Sequence, residues 1–268
     1  MENTVKFERF GMARRLGTML RVDARRVLRS RLFYIMIACA LVVPVLMTVM
    51  MSMMDGTVST DPQTGAETVM QGPENVWQNI GTLPGEPLGG DEIFMMCNVN
   101  MAFMGVAVFC CLFISEDFRC GYAKNVFTTR AHRGEYVISK LLFGWLCGAL
   151  MLVAYFVGSV LGGAVSGLSF DLHGLDGGNV AACMLAKILL MPVFVSIFTL
   201  ISVAAKEKAW LAICGSLGGG MLLFMTVSLI TPLGSTVVNV LLCSAGSAAF
   251  TAGLGALATL VLRKTRIV

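Results

Sequence analysis

Charged residues are scarce in this sequence of 268 amino acids. They make up 13% of the chain, whereas a soluble globular domain carries about 25%. Hydrophobic residues account for 56%, and the mean hydropathy is +0.79. So little polar surface argues against a water-soluble enzyme or a nucleic-acid-binding domain, and the apolar content argues against a disordered chain. The composition predicts an integral membrane protein with several helical spans.

Motifs for metal, redox and nucleotide chemistry are also missing. The nine cysteines include no CxxC pair and no Cys/His cluster with metal-ligand spacing, so a zinc or redox site is not expected. A Walker-type phosphate loop is absent as well. The apolar runs contain no Asp, Glu or His, which argues against an ion-coupled carrier and against an intramembrane protease.

Six runs are long and apolar enough to cross about 30 Å of hydrocarbon. A polar arm of 31 residues precedes the first run, which therefore does not resemble a signal peptide. The fold class expected is an all-α integral membrane protein, with the arm at 1–31 and the six-span domain at 32–268. The predicted spans are Leu32–Met54, Ile93–Ser115, Leu141–Ser166, Val180–Ala205, Ala209–Ile230 and Thr236–Leu262.

Basic residues occur on alternate sides of these runs. The arm holds nine Lys and Arg, the segment between spans two and three holds five, and two further groups follow span four and span six. The loop Asp55–Glu92 is 38 residues long, has no Lys or Arg and carries seven acidic residues. Because basic loops stay in the cytoplasm, both termini are predicted to lie there, with the loop at 55–92 outside. Trp145 and Trp210 follow basic residues and would anchor at the membrane interface.

Lys187 is the one basic residue within a predicted span. It could face a translocation path, or it could extend towards the outer surface with its charge in water. No acidic residue lies in a predicted span to pair with it. The sequence leaves both possibilities open.

Glycines recur four residues apart in the spans, so each pair lies on one helix face and allows a close helix contact. Packing within the chain is the simpler explanation for any one pair, although a seam between two copies remains an alternative. The pairs are Gly144/Gly148, Gly158/Gly162, Gly163/Gly167 and Gly215/Gly219.

The arm from Lys6 to Arg31 combines apolar residues at near-helical spacing with many arginines. This pattern is typical of an amphipathic helix lying on the inner membrane surface, in contact with lipid. A plain positive anchor would explain most of the charge equally well.

The segment Glu116–Lys140 is longer than a simple connection requires and mixes both charges with aromatic residues. A short helix is expected from about Asp117 to Phe127, followed by a polar break and a helical entry into span three. Mixed charge with aromatics on a compact element is typical of a docking surface for a protein partner.

This segment resembles the first intracellular loop of ABC type-2 transporter permeases. That pattern has an acidic residue at the end of span two, then a glycine, a helix, a break with an arginine, and a lysine opening span three. The matching residues are Glu116 or Asp117, Gly121, Arg133 and Lys140. Arg130 and His132 depart from it, because proline and serine are common there. The long first external loop resembles the branch that exports bacteriocins and antibiotics.

The resemblance implies the membrane subunit of an ATP-binding cassette exporter in a prokaryotic cell membrane. Two permease copies, or two related chains, would form the path, and a separate subunit would bind ATP and Mg. This chain would then bind no cofactor and would not be an enzyme. A six-span carrier or channel, and a non-transporting scaffold, remain the alternatives. The expected contacts with the ATPase subunit are Glu116, Asp117, Arg119, Gly121, Lys124, Arg133, Glu135 and Lys140.

Overall fold

The computed structural model describes residues 12–60, 67–69, 72–83, 98–128 and 133–264. Within these ranges the chain is mainly helical, with connecting turns and a small antiparallel hairpin of β1 (Val58–Thr60) and β2 (Glu67–Val69). The helices are α1 (Met12–Arg29), α2 (Arg31–Met54), α3 (Ala102–Arg119), α4 (Tyr122–Thr128), α5 (Arg133–Ser166), α6 (Gly177–Ala205), α7 (Ala209–Ile230) and α8 (Val237–Lys264).

Five of the described helical segments are long and apolar enough to cross a membrane: α2, α3 with its preceding turn, α5, α6 and α8. The sixth expected span corresponds to α7, whose described apolar portion, Ala209–Met221, is shorter. The structure therefore confirms a membrane protein with several spans, and the count of six stays a prediction. Residues 93–97, expected at the start of span two, lie outside the described part.

One helix boundary agrees with the sequence prediction and one differs from it. The helical entry expected before span three is present, since α5 begins at Arg133, eight residues before Leu141. The coupling helix was expected from about Asp117, but α3 continues through Arg119, and α4 begins at Tyr122. Gly121 forms the corner between α3 and α4 with φ +72°, a conformation that suits glycine because it has no Cβ. The polar break at 129–132 lies outside the described residues.

Glycines on α5 allow two helices to approach closely. Gly158 and Gly162 face α2, where an added Cβ on Gly162 would lie 2.9 Å from the Val45 Cα. On the same helix, Gly148 faces Met191 of α6, with 3.1 Å from an added Cβ to Cγ. These glycine pairs thus pack within the chain.

Trp145 makes a hydrogen bond within the bundle, and its place at the membrane interface stays a prediction. Pro192 lies inside α6 and has no N–H, so the carbonyl of Ile188 loses its usual helical donor. The Trp145 indole Nε1–H donates to that carbonyl at 2.9 Å. The tryptophan therefore supplies the hydrogen bond that the proline cannot make, and it joins α5 to α6. Trp210, by contrast, is exposed.

Part of the acidic loop packs against the turn between α5 and α6. Asn75 caps a short 3₁₀ helix, Val76–Asn79, and the Trp77 indole donates to the Phe170 carbonyl at 3.0 Å. Val76 and Ile80 are fully buried. Residues 72–83 are thus a packed part of the fold.

Candidate functional site at the arm end of the bundle

The amphipathic arm helix was predicted, and α1 carries it from Met12 to Arg29. Its apolar face packs on the helix bundle through Leu20, Ala24 and Val27. Asp23 lies on this same face, because residues three and four apart share one side of a helix. The packing carries the carboxylate into the interior, where Asp23 is 1% exposed. Residues 1–11 of the predicted arm lie outside the described part.

Lys140 of α5 meets two buried carboxylates. Its Nζ lies 2.7 Å from Asp23 Oδ1 and 2.7 Å from Asp117 Oδ2. All three side chains are almost fully buried. One ammonium between two carboxylates leaves one negative charge to be balanced, and burying such a charge without a partner is costly.

Arg26 of α1 supplies the second positive charge. Its Nη1 lies 2.6 Å from Asp117 Oδ1, and its guanidinium stacks over the Tyr122 ring at 4.6 Å. Partial burial acts to lower the pKa of Arg26, but the charge and hydrogen bond of Asp117 outweigh it and raise the pKa above its usual value. The arginine therefore stays charged.

Two hydroxyl groups complete the network. Tyr136 donates to Asp117 Oδ2 at 2.9 Å, and Ser139 donates to Asp23 Oδ2 at 3.1 Å. Lys140 Nζ also lies 4.1 Å from the centre of the Phe113 ring, a cation–π distance. Every carboxylate oxygen of the two aspartates thus has a partner. We name this network the anchoring cluster; its members are Asp23, Arg26, Asp117, Tyr136, Ser139 and Lys140.

Further contacts tie the neighbouring elements together. Arg15 of α1 forms an ion pair with Glu135 of α5 at 2.8 Å. Arg133, at the start of α5, donates from Nη1 to the Leu262 carbonyl near the end of α8, at 2.5 Å. The arm helix therefore meets the end of α3, the start of α5 and the end of α8 at one end of the bundle. We call this the arm end.

Seven of the eight residues predicted to contact a partner divide into two groups, and the eighth, Arg133, is half-buried and bonded to α8. Asp117, Glu135 and Lys140 are buried and bonded within the chain, so they can orient a contact surface but cannot form it. Glu116 and Arg119 pair weakly at 3.6 Å and have side chains 52% and 73% exposed. Lys124 on α4 is also exposed, and Gly121 makes the corner between the two helices. The outward surface therefore consists of Glu116, Arg119 and Lys124.

Lys187 does not reach the surface. It is fully buried, and its Nζ donates to Asn100 Oδ1 at 2.8 Å and to Thr231 Oγ1 at 2.9 Å. Asn100 in turn donates to Ser228 at 2.8 Å. Of the two possibilities, extension into water does not occur, because these neutral acceptors hold the ammonium between α6, the turn before α3 and the end of α7. A role in a translocation path stays a prediction.

The sequence argument missed Asp23, Arg26, Asn100 and Thr231. A signal existed for Asp23, since it falls between Leu20 and Val27 on the apolar face of the predicted helix. Nothing in the sequence singled out Arg26 from its eight basic neighbours in the arm. Within the described ranges, no three His, Cys, Asp or Glu side chains are placed to hold a metal ion.

Comparison with known families agrees with this architecture. No curated protein and no solved structure matches the chain significantly. A family model described as ABC-2 family transporter protein matches residues 24–222. The match includes most of the anchoring cluster, the outward surface and Lys187, and it covers well over half of the sequence. The chain therefore belongs to the ABC-2 family of transporter proteins.

Proposed function

We propose that this chain is the membrane permease subunit of an ATP-binding cassette exporter. Two permease chains form the path, and a separate ATPase subunit binds ATP and Mg and docks at the arm end. The chain crosses the cell membrane six times, with both termini in the cytoplasm. The proposal rests on membership of the ABC-2 family together with one structural observation. An exposed element of mixed charge lies at the arm end, and a buried ion network holds it in place.

The docking element is the end of α3, the corner at Gly121 and α4. Glu116, Arg119 and Lys124 offer both signs of charge to a partner, and α4 is joined to α3 by two residues only. A force on α4 therefore acts directly on the end of α3. Asp117 transmits it further, because this residue of α3 bonds both Lys140 of α5 and Arg26 of α1.

This arrangement gives the transport step a physical basis. ATP binding closes the ATPase subunits and moves the docked elements, and the anchoring cluster makes α1, α3 and α5 move as one body. The path then alternates between two accessible states, with nucleotide shifting the balance between them.

The test is a pull-down in mild detergent with the ATPase encoded by the neighbouring reading frame. The wild-type chain is compared with Glu116→Ala/Arg119→Ala/Lys124→Ala, which changes only exposed side chains. The matched control is Arg21→Ala/Arg25→Ala, which removes two exposed charges from α1.

We expect the wild type and the control to retain the ATPase and the triple variant to lose about tenfold in affinity, since charged rim contacts each contribute modestly. A folded wild-type chain that retains no ATPase contradicts the proposal. Solute movement by the chain alone in liposomes would then favour a carrier or channel.

A further inference from the structure

A narrow groove runs between α5, α6 and α8 on the outside of the bundle. Its volume is about 630 Å³. The α5 wall is bulky and apolar, with Leu141 and Trp145, and the floor includes Leu189 and Pro192 of α6. The α8 wall is made of small side chains: Ser244, Ala248, Thr251, Ala252, Gly255 and Thr259. We name it the α5–α8 groove.

The length of the groove suits a hydrocarbon chain. Ser244 and Thr259 are separated by about 22 Å at 1.5 Å per helical residue, which exceeds the ~15 Å of hydrocarbon that one leaflet contributes. An acyl chain from the leaflet at the arm end can therefore lie in the groove over its whole depth in that leaflet.

Positive charge gathers where the groove reaches the arm end. Arg263 follows Thr259 by four residues, so it continues the groove face of α8 by one turn, and Lys264 is next to it. Both side chains are exposed. Arg133 directly precedes the lining residue Gly134. No carboxylate lines the groove within the described residues, and the charge at its end therefore suits a phosphate.

Two hydroxyls in the groove wall are compatible with an apolar occupant. Ser247 Oγ and Thr251 Oγ1 have no hydrogen-bond partner in the described structure. Each can rotate to donate to the carbonyl four residues earlier on α8, as Thr259 already does to Gly255 at 2.9 Å. A hydrocarbon chain therefore does not leave them without an acceptor.

We propose that the α5–α8 groove binds one acyl chain of an anionic phospholipid, with the phosphate against Arg133, Arg263 and Lys264. The lipid stabilises the contact between α5 and α8 at the arm end, where Arg133 also donates to the Leu262 carbonyl. The inference depends on the proposed membrane placement of the chain. It does not depend on an ATPase partner.

The test reconstitutes the full chain in nanodiscs of phosphatidylcholine containing a minor fraction of phosphatidylglycerol. Native mass spectrometry then counts the lipid that the released protein retains. Ala252→Phe fills the groove, and its control is Ala249→Phe, which adds the same side chain to an exposed position on α8 outside the groove. Arg263→Gln/Lys264→Gln removes the charge, and its control is Lys206→Gln/Lys208→Gln.

We expect the wild type and both controls to retain phosphatidylglycerol and Ala252→Phe to lose it. The Arg263/Lys264 variant should lower the preference for phosphatidylglycerol over phosphatidylcholine about tenfold, because each cation near a membrane surface adds to the attraction of anionic lipid. Unchanged retention in Ala252→Phe overturns the proposal. So does a change in the monomer–dimer balance with lipid retention unaltered, which would identify the groove as a contact between copies.

Discussion

Lys140 is the residue on which the anchoring cluster depends. Its ammonium lies within 2.7 Å of two carboxylates that come from different helices. Removing it leaves Asp23 with only Ser139 and a distant Arg26 at 3.9 Å. A buried carboxylate without a close cation is among the most destabilising changes a folded chain can undergo.

Lys140→Met should therefore lower the free energy of unfolding by about 3–5 kcal/mol. Lys140→Arg, which keeps the charge, should lower it much less. The measurement is thermal unfolding followed by size-exclusion chromatography of the detergent-solubilised protein.

Asp23→Asn combined with Lys140→Met should be less harmful than the sum of the single changes, because each removes the other's unpaired charge. Strict additivity would show that the two groups do not interact.

Gly158 illustrates a contact that tolerates no side chain. A Cβ there would collide with the Leu41 carbonyl and with the Pro44 ring at 2.6 Å, and neither can move aside easily because one is backbone and the other is a ring. Gly158→Ala should destabilise the fold by about 1–3 kcal/mol through overpacking.

Gly253→Ala is the matched control, since an added Cβ at Gly253 meets nothing within 4 Å. It should be neutral or stabilising by up to about 1 kcal/mol, because alanine favours helix. The same unfolding assay compares the two variants. Equal effects at Gly158 and Gly253 would argue against the close approach of α2 and α5.

At the scale of elements, a hydrogen bond joins α5 to α6 beside the proline that interrupts the α6 backbone bonding. Pro192 has no N–H to donate to the Ile188 carbonyl four residues earlier. The Trp145 indole N–H donates to that carbonyl instead, at 2.9 Å. Trp145→Phe keeps an aromatic ring and removes the N–H. An unpaired buried carbonyl costs about 1–3 kcal/mol.

Trp145→Phe should thus destabilise the wild-type chain by roughly that amount. In a Pro192→Ala background the backbone N–H of residue 192 returns, so the same substitution should have little further effect. Chemical denaturation of the four proteins in detergent gives the coupling energy. A coupling near zero would mean that the indole bond does not compensate for the proline.

For the whole molecule, the order of charges along the chain predicts which segments lie on the same side of the membrane. Phosphatase fused after Leu175 should be active, because the turn between α5 and α6 is predicted to lie outside. Phosphatase fused after Lys208 should be inactive, and green fluorescent protein fused at the C-terminus should fluoresce. A phosphatase that is active at the C-terminus would contradict the predicted cytoplasmic C-terminus.

Much of the architecture could be predicted from the sequence because the bilayer imposes it. About 20 apolar residues must be helical to satisfy their backbone hydrogen bonds in lipid, and α2 and α6 begin and end within a few residues of the prediction. The arm helix followed from the spacing of its apolar residues, and the glycine pairs on α5 followed from four-residue spacing. These are local patterns, which one segment carries by itself.

Only the tertiary structure decided which charges meet. Asp23, Asp117 and Lys140 are far apart in the sequence, and their ion pairs exist because α1 folds back onto α3 and α5. The same folding turned three of the predicted partner-contact residues inward and brought Lys187 to Asn100 and Thr231. Hydropathy fixes which segments enter the membrane, but the pairing of polar groups depends on the rotation and depth of each helix. Those are set by packing between distant segments, which no single segment encodes.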